Sequence, residues 1–409
     1  NYPIGFVRWT ERRNMKEFLR LVAEDLIDLQ PMITHTFPFE DVLEAYELIL
    51  DNPNEEDYTG IVLEYDTGKE HSSTVKLEEK SKSKTAKDYV GIGLVGGGNF
   101  AKSTILPNLN KISNAELGGI ATATGKSAKD LADKHNFSYA TTDYHELVED
   151  GNIDLVVVAT RHNLHAEMAT QALAAGKNVH VEKPLALTQK ELKEVIEAER
   201  NSDGRLLVGF NRRFAPQVEN VKDEFSNSST PLMVNYRVNA GYIEPDHWIH
   251  DPDEGGGRII GEVCHFVDLI QHLIDAKPEK VYATRLSPGG EVLPDDNVSV
   301  NIDFSDGSRG NIVYTAMGDK SLPKEYIEVF GDKKAKTIDN FKSGRLGLTQ
   351  DKGHYGEFDA FVDSILNGES SPISIEELAL STLATFKIHD SLRTGEPQLV
   401  DLGEVLNES

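Results

Sequence analysis

The spacing of hydrophobic positions changes along the chain, and each change marks a different kind of structure. Met15, Phe18, Leu19, Val22 and Leu26 recur at helical spacing behind Asn14 and Glu17, a pair that resembles a capping box and predicts the start of an amphipathic helix. Val42, Ala45, Tyr46 and Ile49 predict a second helix ending near Asn52-Pro53, and Ile61-Val62-Leu63 a short strand. Two helices and a strand make a poor independent core. Residues 67–88 then turn to Lys, Glu, Ser and Thr, with Val75 and Leu77 as their aliphatic residues, and read as a linker between residues 1–66 and the rest.

From Tyr89 the pattern is different. The apolar runs Tyr89 to Gly96, Leu117 to Thr122, Leu155 to Ala159, Val179 to Val181 and Leu206 to Val208 alternate with helical stretches at Ala128 to His135, His165 to Ala175 and Gln189 to Arg200. Such alternation predicts an α/β domain over residues 89–213, a doubly wound parallel sheet that binds its ligand at the strand ends. After Phe214 the strands lengthen and alternate: Leu232 to Asn239, Lys280 to Arg285, Val298 to Asp303, Gly310 to Thr315 and Glu325 to Gly331. With helices at Ile259 to Leu273, Tyr355 to Leu366 and Ile375 to Leu392, residues 214–409 read as an α+β domain with a large open, mainly antiparallel sheet.

Composition narrows the partners. The 409 residues suit two to three domains at roughly 150 residues each. Lys and Arg total 42 against 68 Asp and Glu, a net charge of −26, which repels phosphate backbones and anionic lipid. Neither nucleic acid nor a membrane is an expected partner, and no run approaches the roughly 18 apolar residues of a spanning helix. The single cysteine, Cys264, excludes an intrachain disulfide framework and any multi-cysteine metal site, so a reducing cytoplasm is expected. Asn1 to Thr10 do not read as a signal peptide, and without an initiator methionine the chain is expected to be part of something longer.

The strand Val90 to Val95 runs into Gly96-Gly97-Gly98-Asn99-Phe100-Ala101, matching G-x-G-x-x-G/A at Gly96, Gly98 and Ala101. Lys102 to Leu109 can follow as a helix whose N-terminus faces a pyrophosphate, so a dinucleotide-binding Rossmann domain is predicted, with Asn99 and Phe100 beside the cofactor. An acidic residue some 20 positions onward normally bonds the ribose of NAD, yet here the second strand ends in Thr122-Ala123-Thr124-Gly125-Lys126-Ser127. Thr124, Lys126 and Ser127 suit a 2′-phosphate, and the expected cofactor is NADP or NAD.

Further motifs follow in order: Ala159-Thr160-Arg161-His162-Asn163-Leu164-His165, then Glu182-Lys183-Pro184, then Gly209-Phe210-Asn211-Arg212-Arg213-Phe214, then Gly255-Gly256-Gly257 leading to His265 and Asp268. With the glycine loop this set resembles the glucose–fructose oxidoreductase, inositol dehydrogenase and MocA family over roughly residues 88–402. The resemblance implies hydride transfer between nicotinamide and a secondary alcohol or carbonyl of a sugar, polyol or sugar derivative. It implies cofactor contacts from Thr160, Arg161, His162, Asn163, His165 and Glu182, and a dual role for Lys183 toward cofactor and substrate, with Pro184 open to a cis bond. An ammonium at a strand end can stabilise a developing alkoxide. It also makes His265 the acid/base. The aspartate that the family places four residues before that histidine is Gly261 here. Glu262 either replaces it as a catalytic carboxylate or caps the helix, and Glu262, His265 and Asp268 share a helical face.

Tyr242, Asp246, His247, Trp248, His250 and Arg258 precede that helix and carry groups suited to a polyhydroxylated ligand. No metal is expected, since the histidines lack an HExxH frame. Arg212 and Arg213 suit either an anionic ligand group or structural ion pairs. The expected substrate contacts are Lys183, Arg213, His247, Trp248, Arg258 and His265. A homo-oligomer formed through the C-terminal sheet is also expected.

Residues 1–66 carry a second resemblance. Gly5-Phe6-Val7-Arg8-Trp9-Thr10, Pro31-Met32-Ile33-Thr34-His35, Phe37-Pro38-Phe39 and Ala45-Tyr46-Glu47-Leu48 look like the end of a zinc-type medium-chain alcohol dehydrogenase. That family's zinc cysteines and nucleotide loop are absent, so the piece reads as a remnant in a two-enzyme fusion. Two rivals stand beside the dehydrogenase reading: a glycosidase-like enzyme that oxidises transiently with tightly held NAD, and a non-catalytic dinucleotide sensor or assembly module.

Overall fold

A computed structural model describes residues 10–52, 55–66, 68, 73–77, 89–287, 293–343 and 349–407. The chain divides into two units, residues 1–72 and residues 73–409. In the first, Thr10 has the extended backbone of an N-cap and its hydroxyl accepts from the Arg13 N–H at 3.3 Å, starting the helix Glu11–Ala23. Asn14 and Glu17 lie inside that helix, so the capping-box reading is corrected: the turn before the apolar stripe is helical too. β1 (Ile33–Pro38) and β2 (Gly60–Glu64) pair in parallel and are joined through the helix Val42–Leu50. Among the described residues of this unit Ala45 and Leu48 are buried, whereas Met15 is 67% and Leu43 79% exposed. Little apolar burial holds it together.

The second unit opens on β3 (Thr74–Lys76), which pairs antiparallel with β6 (Tyr139–Thr141). This corrects the linker reading for that stretch. The open edge of β6 offers unpaired backbone groups, and a three-residue strand closes it. The rest of the expected linker, apart from Gly68, Ser73 and Leu77, lies outside the described residues. β4 (Val90–Val95), β5 (Ala115–Ala121), β7 (Leu155–Val158), β8 (Asn178–Val181) and β9 (Leu206–Val208) complete the sheet in the order β3-β6-β5-β4-β7-β8-β9, parallel from β6 to β9. Every residue of β4 is buried, which explains the unbroken apolar run at this position. β5 and β7 flank β4 on opposite sides, so the chain reverses its winding there and leaves a crevice at the strand ends.

The second sheet holds β10 (Met233–Asn239), β11 (Pro278–Arg285), β12 (Asn297–Phe304), β13 (Arg309–Thr315), β14 (Glu325–Gly331) and β15 (Lys334–Asp339). β16 (Lys342–Ser343) and β17 (Thr349–Gln350) pair apart, and β18 (Gln398–Leu399) closes the order β15-β14-β10-β13-β12-β11-β18. β10 and β13 are parallel; the other neighbours are antiparallel. Val234, Tyr236, Val281, Val300, Ile312 and Tyr314 face inward, and the helix Ile375–Thr394 packs on β11 from that side. Met233, Tyr282 and Val313 face outward. The helix expected over Ile259 to Leu273 begins as a wide π-helical turn, Ile259–Val263, and continues as Cys264–Ile274. No helix among the described residues is long and apolar enough to cross a membrane.

Candidate active site

At the end of β4, Gly96 turns the chain with φ at +107°, where L side chains are strained. A Cβ on it would stand 2.2 Å from the Ala159 carbonyl oxygen beyond β7. Gly98 has nothing within 4 Å of its Cβ position and borders a cavity of about 1030 Å³. Asn99, Phe100 and Ala101 line the same cavity, with the Phe100 ring edge-on to His354 at 5.6 Å. At its outer end lie Thr122, Thr124 and Ser127, hydroxyl groups with no carboxylate among them. Thr124 caps the helix Gly125–His135 by accepting from the Ser127 N–H at 3.4 Å. Lys126 is exposed and does not line the cavity, nor does Asn163, whose N–H donates to the Glu254 carbonyl at 3.2 Å. Those two expected cofactor contacts are corrected, because local turn geometry points both outward.

The next strand ends bring the chemistry inward. Thr160 lines the wall, and its hydroxyl donates to the Arg161 carbonyl at 3.3 Å. The Arg161 guanidinium stacks over Trp248 at 4.2 Å and pairs with Glu254 at 3.2 Å. His162 Nδ1 lies 2.8 Å from the Gly255 carbonyl and His165 Nδ1 2.8 Å from the Pro184 carbonyl; a carbonyl only accepts, so both nitrogens carry the proton. His165 Nε2 is left buried and without a partner among the described residues. Burial lowers the two imidazoles to about 3 and about 4, so both are neutral.

After β8 come Glu182, Lys183 and a cis bond to Pro184. The Lys183 ammonium donates to the Gly261 carbonyl at 2.6 Å. Burial raises the Glu182 carboxyl to about 7, and its Oε2 would stand 2.8 Å from a Cβ on Gly209, which leaves that position to glycine. At Gly261 itself a Cβ would fall 2.9 Å from the His162 ring. The space for the family's aspartate is taken by an imidazole locked to a backbone carbonyl.

His265, on the first turn of Cys264–Ile274, lines the cavity and is 8% exposed, with Nδ1 unpartnered among the described residues. Burial, followed by the charges of Arg212 and Lys183, holds it well below its usual range. Glu262 also lines the cavity, but it accepts from Arg258 at 3.2 Å and from the Tyr314 hydroxyl at 3.0 Å. Neither bond runs to His265, so Glu262 does not stand in for the missing aspartate by orienting that ring. Arg258 is 2% exposed and bonds Gly241, Asp296 and Glu262, which makes it a positioning residue behind the wall. Arg213 is spent on Asp268 and Glu377 at 2.7 Å each, and His247 is exposed, its Nδ1 accepting from the Ile249 N–H. Arg213, Arg258 and His247 therefore do not line the cavity, and Trp248, Lys183 and His265 do. Among the described residues, no group of three or more His, Cys, Asp or Glu is gathered for a metal ion.

Sequence reasoning missed Asn211, Lys324, Lys352 and His354, all of which line the inner end. Asn211 stood within a quoted motif and bonds the Lys352 carbonyl at 2.7 Å. The others come from the edge of the second sheet and the start of a late helix, where nothing local marks them. Arg212 is held bidentately by Glu325 at 2.8 and 3.0 Å, and Lys352 reaches the same carboxylate at 2.7 Å. The open volume above Gly98, the hydroxyl-lined outer end and the bare Nε2 of His165 fit a dinucleotide lying from the glycine loop toward Lys183.

Comparison with known proteins agrees with this architecture. Residues 90–210 match the model of an oxidoreductase family with an NAD-binding Rossmann fold, and residues 230–335 match a GFO/IDH/MocA C-terminal domain. Myo-inositol 2-dehydrogenase of Thermotoga maritima is 27% identical over 348 residues, covering 77% of this chain and 99% of that protein. A crystal structure of a probable dehydrogenase from Thermotoga maritima superimposes with a TM-score of 0.66 at 25% identity, over 77% of this chain and all of that one. Levoglucosan dehydrogenase in complex with NADH and levoglucosan has the same fold, with a TM-score of 0.65 at 22% identity over 76% of this chain and 99% of that one. Together the two family models span more than half of the chain, which belongs to the Gfo/Idh/MocA family of oxidoreductases, an NAD-binding Rossmann domain followed by a mainly antiparallel C-terminal domain.

Proposed function

We propose that the protein is a nicotinamide-dependent dehydrogenase acting on a secondary alcohol of a sugar, polyol or sugar derivative, or on the corresponding carbonyl. The observation that carries this reading is one continuous cavity running from the glycine loop to Lys183 and His265. When bound, NAD or NADP supplies the hydride acceptor. Lys183, fixed by the Gly261 carbonyl, presents an ammonium to the substrate oxygen and stabilises negative charge there as the carbinol C–H breaks. The neutral imidazole of His265 receives the hydroxyl proton. Trp248 and the glycine loop form part of the walls.

Substrate kinship in the relatives supports the class: myo-inositol 2-dehydrogenase and levoglucosan dehydrogenase both take polyhydroxylated rings by name. For residues 1–66 the alcohol-dehydrogenase-like reading is retained, with the parallel β1–helix–β2 unit in its support and no part assigned to it in the chemistry. A cytoplasmic setting and self-association through the outer face of the second sheet complete the proposal. The test is titration with NADH and NADPH by fluorescence, then a sugar and polyol panel read at the nicotinamide absorbance. Lys183→Ala is expected to lower kcat by about 10²–10³-fold while coenzyme affinity stays within a few-fold. Equal loss of binding and turnover would remove the role given to Lys183.

A further inference from the structure

The inner end of the cavity carries more positive charge than its carboxylates offset. Lys183, Arg212, Lys324 and Lys352 line it, against Glu262 and the Glu182 carboxyl. Arg212 and Lys352 are matched by Glu325 directly behind them. Lys324 is not matched in this way. Its ammonium makes no hydrogen bond among the described residues and holds only a long ion pair, 3.8 Å from Glu262, whose oxygens already accept from Arg258 and Tyr314. Lys183 bonds only a neutral carbonyl. The surplus is felt nearby: after burial itself, the charges of Arg212, Lys183 and Lys324 push the His265 proton off, and Nδ1 of that ring has no partner among the described residues. In a chain of net charge −26, two ammonium groups without a bonded carboxylate in one crevice favour an anionic occupant.

Resting on the dehydrogenase reading, we propose that the substrate is a sugar acid, a polyhydroxylated molecule whose carboxylate is held by Lys324 while the reacting hydroxyl meets Lys183. A carboxylate monoanion neutralises the one charge of Lys324, whereas a phosphate dianion would leave a charge over, with the Arg212 guanidinium already paired to Glu325. The carboxylate takes no part in the redox step; it positions the ring and neutralises Lys324.

The test compares matched pairs under both coenzymes: D-glucuronate with D-glucose, D-galacturonate with D-galactose, and D-gluconate with D-glucitol. The acid of at least one pair is expected to exceed its neutral partner in kcat/KM by on the order of 10–100-fold, the worth of one charge-assisted hydrogen bond. Lys324→Gln should remove most of that ratio through KM, and Lys324→Arg should keep it. Preference for the neutral partner throughout, or a ratio indifferent to Lys324→Gln, overturns the proposal and leaves the dehydrogenase reading standing. If no pair turns over, the dehydrogenase reading is decided by the wider sugar and polyol panel, and calorimetry of D-glucuronate and D-gluconate onto the NADH-loaded protein decides the inference alone. Binding weakened about tenfold or more by Lys324→Gln upholds it; absence of binding, or binding unaltered in the variant, overturns it.

Discussion

Among individual residues, the buried imidazoles have the largest collective consequence. Burial holds His162 at about 3 and His165, His180 and His354 each at about 4, and pushes His265 well below its usual range. In the unfolded chain each returns to about 6.5. Below that pH the unfolded chain takes up protons that the fold refuses, so stability present above pH 6.5 is lost as pH falls toward 4. Glu182, raised to about 7, and Asp268, raised to about 6, act with Glu357 in the opposite sense, because the fold keeps protons that the unfolded chain has released. The shifted histidines outnumber these acids, so the first sign prevails, at on the order of 1–3 kcal/mol for each ring. Calorimetry from pH 7.5 to pH 5 should show the melting temperature falling steadily; a flat profile would mean that the rings charge within the fold. Lys183 and His265 were legible because ordered motifs carry them. The places of Arg213 and Arg258 were not, since whether a charge serves a ligand or a neighbour is decided by partners such as Glu377 and Asp296, far off in the chain.

At the scale of elements, both walls of the crevice begin with a π-helical turn, Ala101–Ile105 after the glycine loop and Ile259–Val263 before His265. The second turns the Gly261 carbonyl toward Lys183, as such turns often do at functional sites. The two outer glycines of the loop should be separable by mutation. Gly96→Ala meets the Ala159 carbonyl at +107° and is expected to lower stability by about 1–3 kcal/mol. Gly98→Asp meets open space, so its melting temperature should stay near that of the parent while NADH affinity drops at least about tenfold from charge conflict with the pyrophosphate. Thermal melts beside fluorescence titrations distinguish the two, and a Gly98→Asp protein that binds normally would displace the pyrophosphate from this loop. Strand and helix alternation was readable over β4 to β9 because buried parallel strands are continuously apolar. The exceptions are β3, β6 and β18, of three, three and two residues, none with the unbroken run of large aliphatic side chains that marks the equally short β9. The π turns were equally hidden, because their apolar spacing differs from a regular helix only by one extra residue.

For the whole molecule, the second sheet has one face covered by helices and one open. Met233 and Val313, each 49% exposed, and Tyr282 at 37% stand on the open face among polar neighbours such as Asn235, Asn301 and Asn311. Light scattering should give at least twice the monomer mass, and Tyr282→Glu combined with Val313→Glu should return the monomer; a monomeric parent would remove this interface. The hydroxyl-lined outer end of the cavity has a consequence of a different kind. A carboxylate bonded to the ribose would choose between coenzymes at contact range, where salt matters little. Here Thr122, Thr124 and Ser127 supply no such carboxylate, and the charges that bear on a 2′-phosphate lie in solvent: exposed Lys126 and the field of a strongly acidic chain. Both are screened over a Debye length of about 10 Å at 0.1 M salt. Coenzyme preference in this protein is therefore expected to narrow as ionic strength rises, which titrations with NADH and NADPH across a salt series check.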